Sequence, residues 1–252
     1  MRAVVTGAGG LIGATIVRRT GWAGLSHRDL DITDERAVAS LDAGLIVNCA
    51  VIGVDECEEN PSLARAINVE GPRNLARVAP RFIHFSSNYA IDPVNVYGRT
   101  KLEGEHAVLE ANPRALVVRT SWVFGRGKNS FLSTAPSKLA RGERITAISD
   151  TFASATYVED LVTALLSMID SSGLHALVNE GVLSYLDFAR EAARIVGASE
   201  SLIDVVSESR LRPRYTPMIS SVPMRSWREA LSAYLRDEGI HHRDHRGHRD
   251  SL

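Results

Sequence analysis

Tyr97 and Lys101 stand four residues apart in Tyr97-Gly98-Arg99-Thr100-Lys101. On a helix that spacing puts both on one face, so a phenol and an ammonium would meet in one cavity. A fixed positive charge beside a phenol favours phenolate and lowers its pKa. The phenol then becomes a better proton donor to a developing alkoxide near neutral pH, which is what reduction of a carbonyl requires. Upstream, the apolar run Phe82-Ile83-His84-Phe85 leads into Ser86-Ser87-Asn88-Tyr89, placing hydroxyls at a strand end. Ser87 there could hydrogen-bond a substrate carbonyl and hold it against Tyr97. Each part alone has a plainer reading: an exposed helical pair, or a serine that caps a turn.

A third feature makes the set specific. The N-terminal run Ala3-Val4-Val5-Thr6 breaks into Gly7-Ala8-Gly9-Gly10 and resumes as Leu11-Ile12-Gly13, with Leu11, Ile12, Ile16 and Val17 at helical spacing. This is a strand, a turn and a helix. A dinucleotide pyrophosphate sits against backbone N–H groups at a helix N-terminus, and a Cβ in the turn would hold it off. Gly7, Gly10 and Gly13 meet that need, with Leu11 and Ile12 between them also expected at the cofactor, in a Gly-x-x-Gly-x-x-Gly spacing that differs from the Gly-x-Gly-x-x-Gly dehydrogenase fingerprint.

The elements that must position these residues alternate. Strand-like runs at 3–6, 23–26, 44–50, 81–87, 115–124, 144–148 and 175–179 are separated by helical patterns near 11–19, 33–41, 61–79, 95–111, 129–141, 157–170 and 185–196. That order predicts an α/β fold with a doubly wound parallel sheet whose strand carboxyl ends line the ligand edge. The expected organisation is a dinucleotide-binding core over 1–124, then 125–239, where the remaining core elements interleave with a small C-terminal substrate-binding lobe. Residues 210–223 hold Pro213, Pro217 and Pro223 and read as irregular before a last helix at 226–236. The stretch 240–252 lacks apolar periodicity and is expected to be a disordered, solvated tail whose four histidines hold no metal.

Twenty-nine Lys and Arg against thirty Asp and Glu give a formal charge of −1, which excludes binding to nucleic acid through a general basic field. Cys49 and Cys57 have no metal-ligand spacing and read as reduced thiols. Without a signal-like N-terminus or a run long enough to span a bilayer, a soluble cytoplasmic protein is expected, with no membrane partner.

With these motifs in place, the chain resembles the extended short-chain dehydrogenase/reductases, and within them the dTDP-4-dehydrorhamnose reductase branch, over roughly residues 2–235. The matching stretches are TGAGGLIG at 6–13, LDITD at 30–34, IVNCA at 46–50, the run at 54–76, Ser-Ser-Asn-Tyr, NVYGRTKLEGE at 95–105 and RTSWVFG at 119–125. The resemblance implies a Rossmann-type sheet and roles residue by residue. Asp31 and Ile32 would hold the adenine, Asn48 and Ala50 would line the cofactor's path, and Asn68 would be structural. Ser87 would orient the carbonyl, Tyr97 would be the acid, and Lys101 would bind the nicotinamide ribose and tune Tyr97. Ser121 and Trp122 would face the nicotinamide or the substrate, with Asn88 beside them. The implied activity is reduction of a 4-keto-6-deoxy nucleotide sugar or related carbonyl.

Two departures matter. Family members carry some twenty residues between the serine run and the tyrosine, where this chain has nine between Ser87 and Tyr97, and Asn88 stands in place of an aspartate. A short connection cannot supply a long flap. The expectation is a more open site, with a smaller substrate, a partner chain such as a second copy in a homodimer, or a carbonyl that is not a nucleotide sugar. For the cofactor, Ser26-His27-Arg28 after the second strand offers a hydroxyl and a cation suited to a 2′-phosphate, favouring NADPH over NADH. Two other readings stand beside this one. A non-catalytic NADP-binding regulatory subunit would lack the Ser/Tyr/Lys set. An epimerase or dehydratase would recycle its cofactor, and the dehydratase would need an acid where Asn88 stands.

Overall fold

The computed structural model describes residues 2–240. The expected tail at 240–252 therefore lies outside the described residues apart from Ile240, which packs against the C-terminal core.

The first half follows the alternation. Strand β1 (Ala3–Thr6) leads into α1 (Leu11–Thr20), then β2 (Ala23–Leu25), α2 (Glu35–Ala39) and β3 (Leu45–Asn48). Next come α3 (Val54–Glu59), α4 (Pro61–Arg65), a π-helical turn (Ala66–Glu70) and α5 (Gly71–Val78). Strand β4 (Arg81–Ser87) follows, then a 3-10 turn (Asn88–Ala90), α6 (Val96–Ala111) and β5 (Leu116–Thr120). The second half holds β6 (Val123–Phe124), α7 (Phe131–Ala140), β7 (Ile145–Ile148), β8 (Phe152–Ala153), β9 (Thr156–Tyr157) and α8 (Val158–Ser167). It ends with β10 (Gly173–Ala176), α9 (Tyr185–Val196), β11 (Ile203–Val206), β12 (Tyr215–Thr216) and α10 (Trp227–Asp237).

Six parallel strands form the central sheet in the order β10-β5-β4-β3-β1-β2. The sheet is an α/β doubly wound one. Neighbouring residues along its strands feed opposite faces, as a two-residue period requires. Val47, Ile83 and Val118 pack with α1 and α8 through Ile16, Leu161 and Leu165. Ile46, Phe82 and Val117 pack with α2, α5 and α6 through Val38, Leu75 and Val108. A third core, built around Phe124, Leu139, Phe188 and Trp227, joins α7, α9 and α10 in the second half. Helices α9 and α10 each begin with a capping box, Ser184 with Asp187 and Ser226 with Glu229, which satisfies their first N–H groups.

Four local expectations are corrected. The run at 115–124 is two strands, because Trp122 takes a positive φ of 36° and turns the chain between β5 and β6. The strand placed at 175–179 is β10, which starts at Gly173; Leu177 and Val178 leave the sheet but stay fully buried. The helix at 61–79 is interrupted at 66–70, where the Asn68 carbonyl lies so close to Gly104 that a Cβ there would come within 2.1 Å of it. Helix α3, unassigned in sequence, starts after Gly53 with Asp55 and Glu56 in its first turn, a favourable place for carboxylates. Among the described residues, no helix is long and apolar enough to cross a membrane.

Candidate active site

The glycine turn divides its labour in a way that spacing alone does not reveal. Gly7 has φ +68°, and a Cβ on it would sit 2.5 Å from the Ala50 nitrogen and the Cys49 carbonyl carbon. A Cβ on Gly13 would sit 2.5 Å from the Gly7 oxygen. Both are therefore required by packing of the turn against itself and β3. Gly10 is different: it is the N-cap of α1, in extended geometry, with no side-chain cap, and its nearest obstacle is the Gly7 oxygen at 3.4 Å. The first N–H groups of α1 have no partner within the helix, as at any helix start, and no side chain covers them. Beside them lies a cavity of about 510 Å³ lined by Gly7, Gly9, Gly10, Ser26, His27, Asp31, Ile32 and Ala50, among others. The uncapped helix end, the absence of Cβ atoms and the adjoining cleft fit a dinucleotide.

Some expected cofactor residues stand elsewhere. Arg28 is exposed and is not among the residues lining this cavity, where Ser26 and His27 stand instead. Asn48 is wholly buried. Its Oδ1 accepts from Thr6 Oγ1 at 2.7 Å and from the Ala50 N–H at 3.1 Å, so it shapes the β3 end from behind rather than lining the cofactor's path. Ile12 lines the neighbouring catalytic cavity and Leu11 a third cavity near Arg18 and Arg126. The Asp31 carboxylate accepts from the N–H and hydroxyl of Thr33, which holds its pKa below the ordinary value.

A second cavity, of about 580 Å³, opens at the carboxyl ends of β4 and β5. Its lining brings together Ser87, Asn88, Tyr97, Lys101, Ser121 and Trp122, so every residue assigned to catalysis or substrate in sequence borders one space. Cys49 and Val51 line both this cavity and the cleft by the glycine turn, so the two share a wall.

Helix α6 presents Tyr97 and Lys101 because Asn95 caps it: Asn95 Oδ1 accepts from the Gly98 N–H at 2.8 Å. Lys101 is buried, and its Nζ donates to the Phe85 carbonyl at 2.7 Å. Burial lowers its pKa to about 8, against the opposing pull of Glu105. Glu105 is itself held by Arg119, which donates through Nε at 2.7 Å and Nη2 at 2.6 Å, and by the Ser86 hydroxyl.

One electrostatic expectation is corrected here. The Tyr97 phenol is pushed up to about 12 by burial, with Ser87 acting in the opposite direction, and Lys101 is not among the groups that lower it. The physical reason is that the ammonium is spent on the Phe85 carbonyl while desolvation of the phenolate dominates. Ser87 Oγ accepts from the Tyr89 N–H at 3.2 Å and donates to Asn88 Oδ1 at 3.2 Å. Asn88 in turn donates from Nδ2 to Thr216 Oγ1 at 2.7 Å, tying the turn after β4 to β12. Asn88 thus anchors the second half of the chain as well as bordering the cavity. Ser121 is buried with a hydroxyl that has no hydrogen-bond partner and borders the cavity, an arrangement suited to a ligand's polar atom.

Sequence reasoning missed several lining residues. Trp122 stacks on Tyr185, ring centroids 4.1 Å apart, and Phe131 meets Tyr185 edge-on, which builds an aromatic wall from three distant segments. Lys128 and Arg210 add two cations to the lining. The short 88–96 connection is not left bare. Asn95 Nδ2 donates to the Leu211 carbonyl at 3.0 Å, and Arg212, nearly buried, pairs with Asp55 of α3. The 207–214 segment is therefore held against the 88–96 connection and α3, and it carries Arg210 into the cavity wall. Among the described residues, no group of three or more His, Cys, Asp or Glu is arranged to hold a metal ion.

Fold and site together define a dinucleotide-binding α/β protein with a Ser/Tyr/Lys cavity at the strand ends. The chain matches the RmlD substrate binding domain family over residues 1–239 and belongs to that family. It is 38% identical to a dTDP-4-dehydrorhamnose reductase of Mycolicibacterium smegmatis, covering 91% of this chain and 84% of the relative. It is 34% identical to the protein of the same name in Mycobacterium tuberculosis, covering 93% and 92%. The crystal structure of dTDP-4-dehydrorhamnose reductase from Bacillus anthracis in complex with NADP superposes with a TM-score of 0.86 at 26% identity, covering 94% of this chain and 99% of that one.

Proposed function

We propose that this chain is an NADPH-dependent ketoreductase of the extended short-chain dehydrogenase/reductase type that reduces a dTDP-4-keto-6-deoxy sugar. The observation that carries the reading is the shared wall: the cleft at the uncapped α1 end and the cavity holding Ser87, Tyr97 and Lys101 meet at Cys49 and Val51. A dinucleotide in the first would reach the second. The names of its relatives, and the NADP in one of their structures, support the same substrate class and cofactor.

NADPH, when bound, would supply the hydride for the carbonyl carbon. The chain's own residues do the rest. Ser87 donates to the carbonyl oxygen and fixes its position. Tyr97 gives its phenolic proton to the oxygen as negative charge grows there, and a phenol held protonated by burial is in the correct form to do so at neutral pH. Lys101, ammonium below about 8 and hydrogen-bonded to the Phe85 carbonyl, borders the same cavity, where it would bind the nicotinamide ribose. Gly10, Asp31, Ile32 and Ala50 would hold the dinucleotide, with Ser26 and His27 beside the adenosine end. In this reading residues 125–239 interleave the remaining core elements, among them α8 and β10, with the substrate-binding lobe, and Trp122 and Tyr185 form an aromatic wall of the cavity. The test is loss of NADPH absorbance with dTDP-4-dehydrorhamnose against simple ketones and other nucleotide ketosugars. Selective turnover of the dTDP ketosugar is expected. Cofactor binding with no turnover of any carbonyl would instead favour a regulatory subunit.

A further inference from the structure

His84 lies on β4 with no solvent exposure, and the mechanism above gives it no part. Its protonation pattern follows from its neighbours. The Ala50 backbone N–H can only donate, and it donates to Asn48 Oδ1 at 3.1 Å. Thr6 Oγ1 gives a second hydrogen bond to the same oxygen at 2.7 Å. The Asn48 amide is thereby fixed, and its Nδ2 must donate to the atom it faces, His84 Nδ1, at 3.0 Å. A neutral imidazole that accepts at Nδ1 carries its hydrogen on Nε2. That Nε2 faces Lys101 Nζ at 3.5 Å.

We propose that His84 is a positioning residue that sets the proton affinity of Lys101: Asn48 locks the imidazole as its Nε2–H form, and that N–H, aimed at Nζ, favours the amine over the ammonium. The amine has a lone pair for the Nε2–H and can still donate to the Phe85 carbonyl. The ammonium has none, so two positively polarised hydrogens oppose each other. Burial and the neighbouring Lys101 both keep His84 from charging, so the imidazole stays neutral and the lock holds. The other groups around Nζ do not substitute for it. The thiols of Cys49 on the β3 side and Cys57 on α3 are held protonated by burial. Glu105, on the lysine's own helix, is paired with Arg119, and Tyr97 on the same helix is a neutral phenol. Burial has already brought Lys101 down to about 8, and the Nε2–H of His84 acts in the same direction, so the charge on Lys101 is titratable under working conditions.

The experiment has two parts. Long-range proton–nitrogen NMR on full-length protein labelled at histidine reports the tautomer directly, and labelled lysine reports the Lys101 midpoint. Wild type is expected to show His84 as Nε2–H and uncharged across the neutral range. His84→Phe should raise the proton affinity of Lys101 about tenfold. His84→Gln should keep it low, because its amide oxygen can accept from Asn48 and its N–H can still face Nζ. The alkaline limb of kcat/KM should follow the same order, upward in Phe and unmoved in Gln. The kinetic arm rests on the ketoreductase reading and the NMR arm does not, so the two fail separately. An Nδ1–H or imidazolium signal for His84 in wild type, or equal Lys101 midpoints in the Phe and Gln variants, overturns the proposal.

Discussion

Gly10 and Gly13 look interchangeable in sequence, yet the structure separates them by what a methyl would meet. At Gly13 the new Cβ falls 2.5 Å from the Gly7 oxygen and 3.0 Å from the Ala8 Cα, both backbone atoms of the same tight turn, which cannot swing aside. Overpacking of this kind costs about 1–3 kcal/mol. For a domain of this size each kcal/mol lowers Tm by roughly 2–4 °C, so Gly13→Ala should melt roughly 2–12 °C below wild type. At Gly10 the first obstacle is at 3.4 Å, an ordinary contact, and φ −83°, ψ 164° suits any residue. Gly10→Val should therefore keep Tm within about 2 °C, in the range of substitutions that disturb no packing. It should nonetheless lose NADPH affinity by at least about tenfold, because its side chain stands over the unpartnered N–H groups of α1. Differential scanning fluorimetry gives the first quantity and quenching of protein fluorescence by NADPH the second. Equal melting temperatures for the Gly13 variant and wild type, or unchanged NADPH affinity in the Gly10 variant, would falsify the division of roles.

Tyr97→Phe removes the proton donor but keeps the ring, so turnover should fall on the order of 10²–10⁴-fold while NADPH affinity stays near wild type; steady-state kinetics beside a binding titration decides this. Lys101 carries its folded pKa at about 8, below its usual value of 10.5, so the unfolded chain binds more protons between those two values. Stability should therefore rise with pH across that window, by up to about 3 kcal/mol, and Lys101→Met should abolish the slope in denaturant titrations made at several pH values. Asp55→Ala breaks the pairing that fixes Arg212 and the 207–214 segment without touching the Ser/Tyr/Lys set. KM for the ketosugar should rise several-fold with kcat little changed, and an unaltered KM would show that the segment holds its place without Asp55.

Much of the chemistry was legible in residue order because it depends on local geometry. A strand, an uncapped glycine turn and a helix are neighbours in sequence, and so are Tyr97 and Lys101 on one helical turn. The alternation of apolar runs likewise dictated a parallel sheet, since residues such as Ile46 and Val47 must feed two faces at once. What the order of residues could not carry is which long-range partner each polar group meets. Asn48 became a buried strut because the N–H of Ala50 and the ring of His84 converge on it. Tyr97 kept a raised pKa because packing removed its water while a backbone carbonyl took up the Lys101 ammonium. The nine-residue connection implied an uncovered site, and only the tertiary fold could bring Arg210 to the cavity wall and Leu211 onto Asn95, residues separated by more than a hundred positions of chain. Periodicity and capping are written in neighbours, whereas desolvation and hydrogen-bond direction are properties of groups that meet only when the chain has folded.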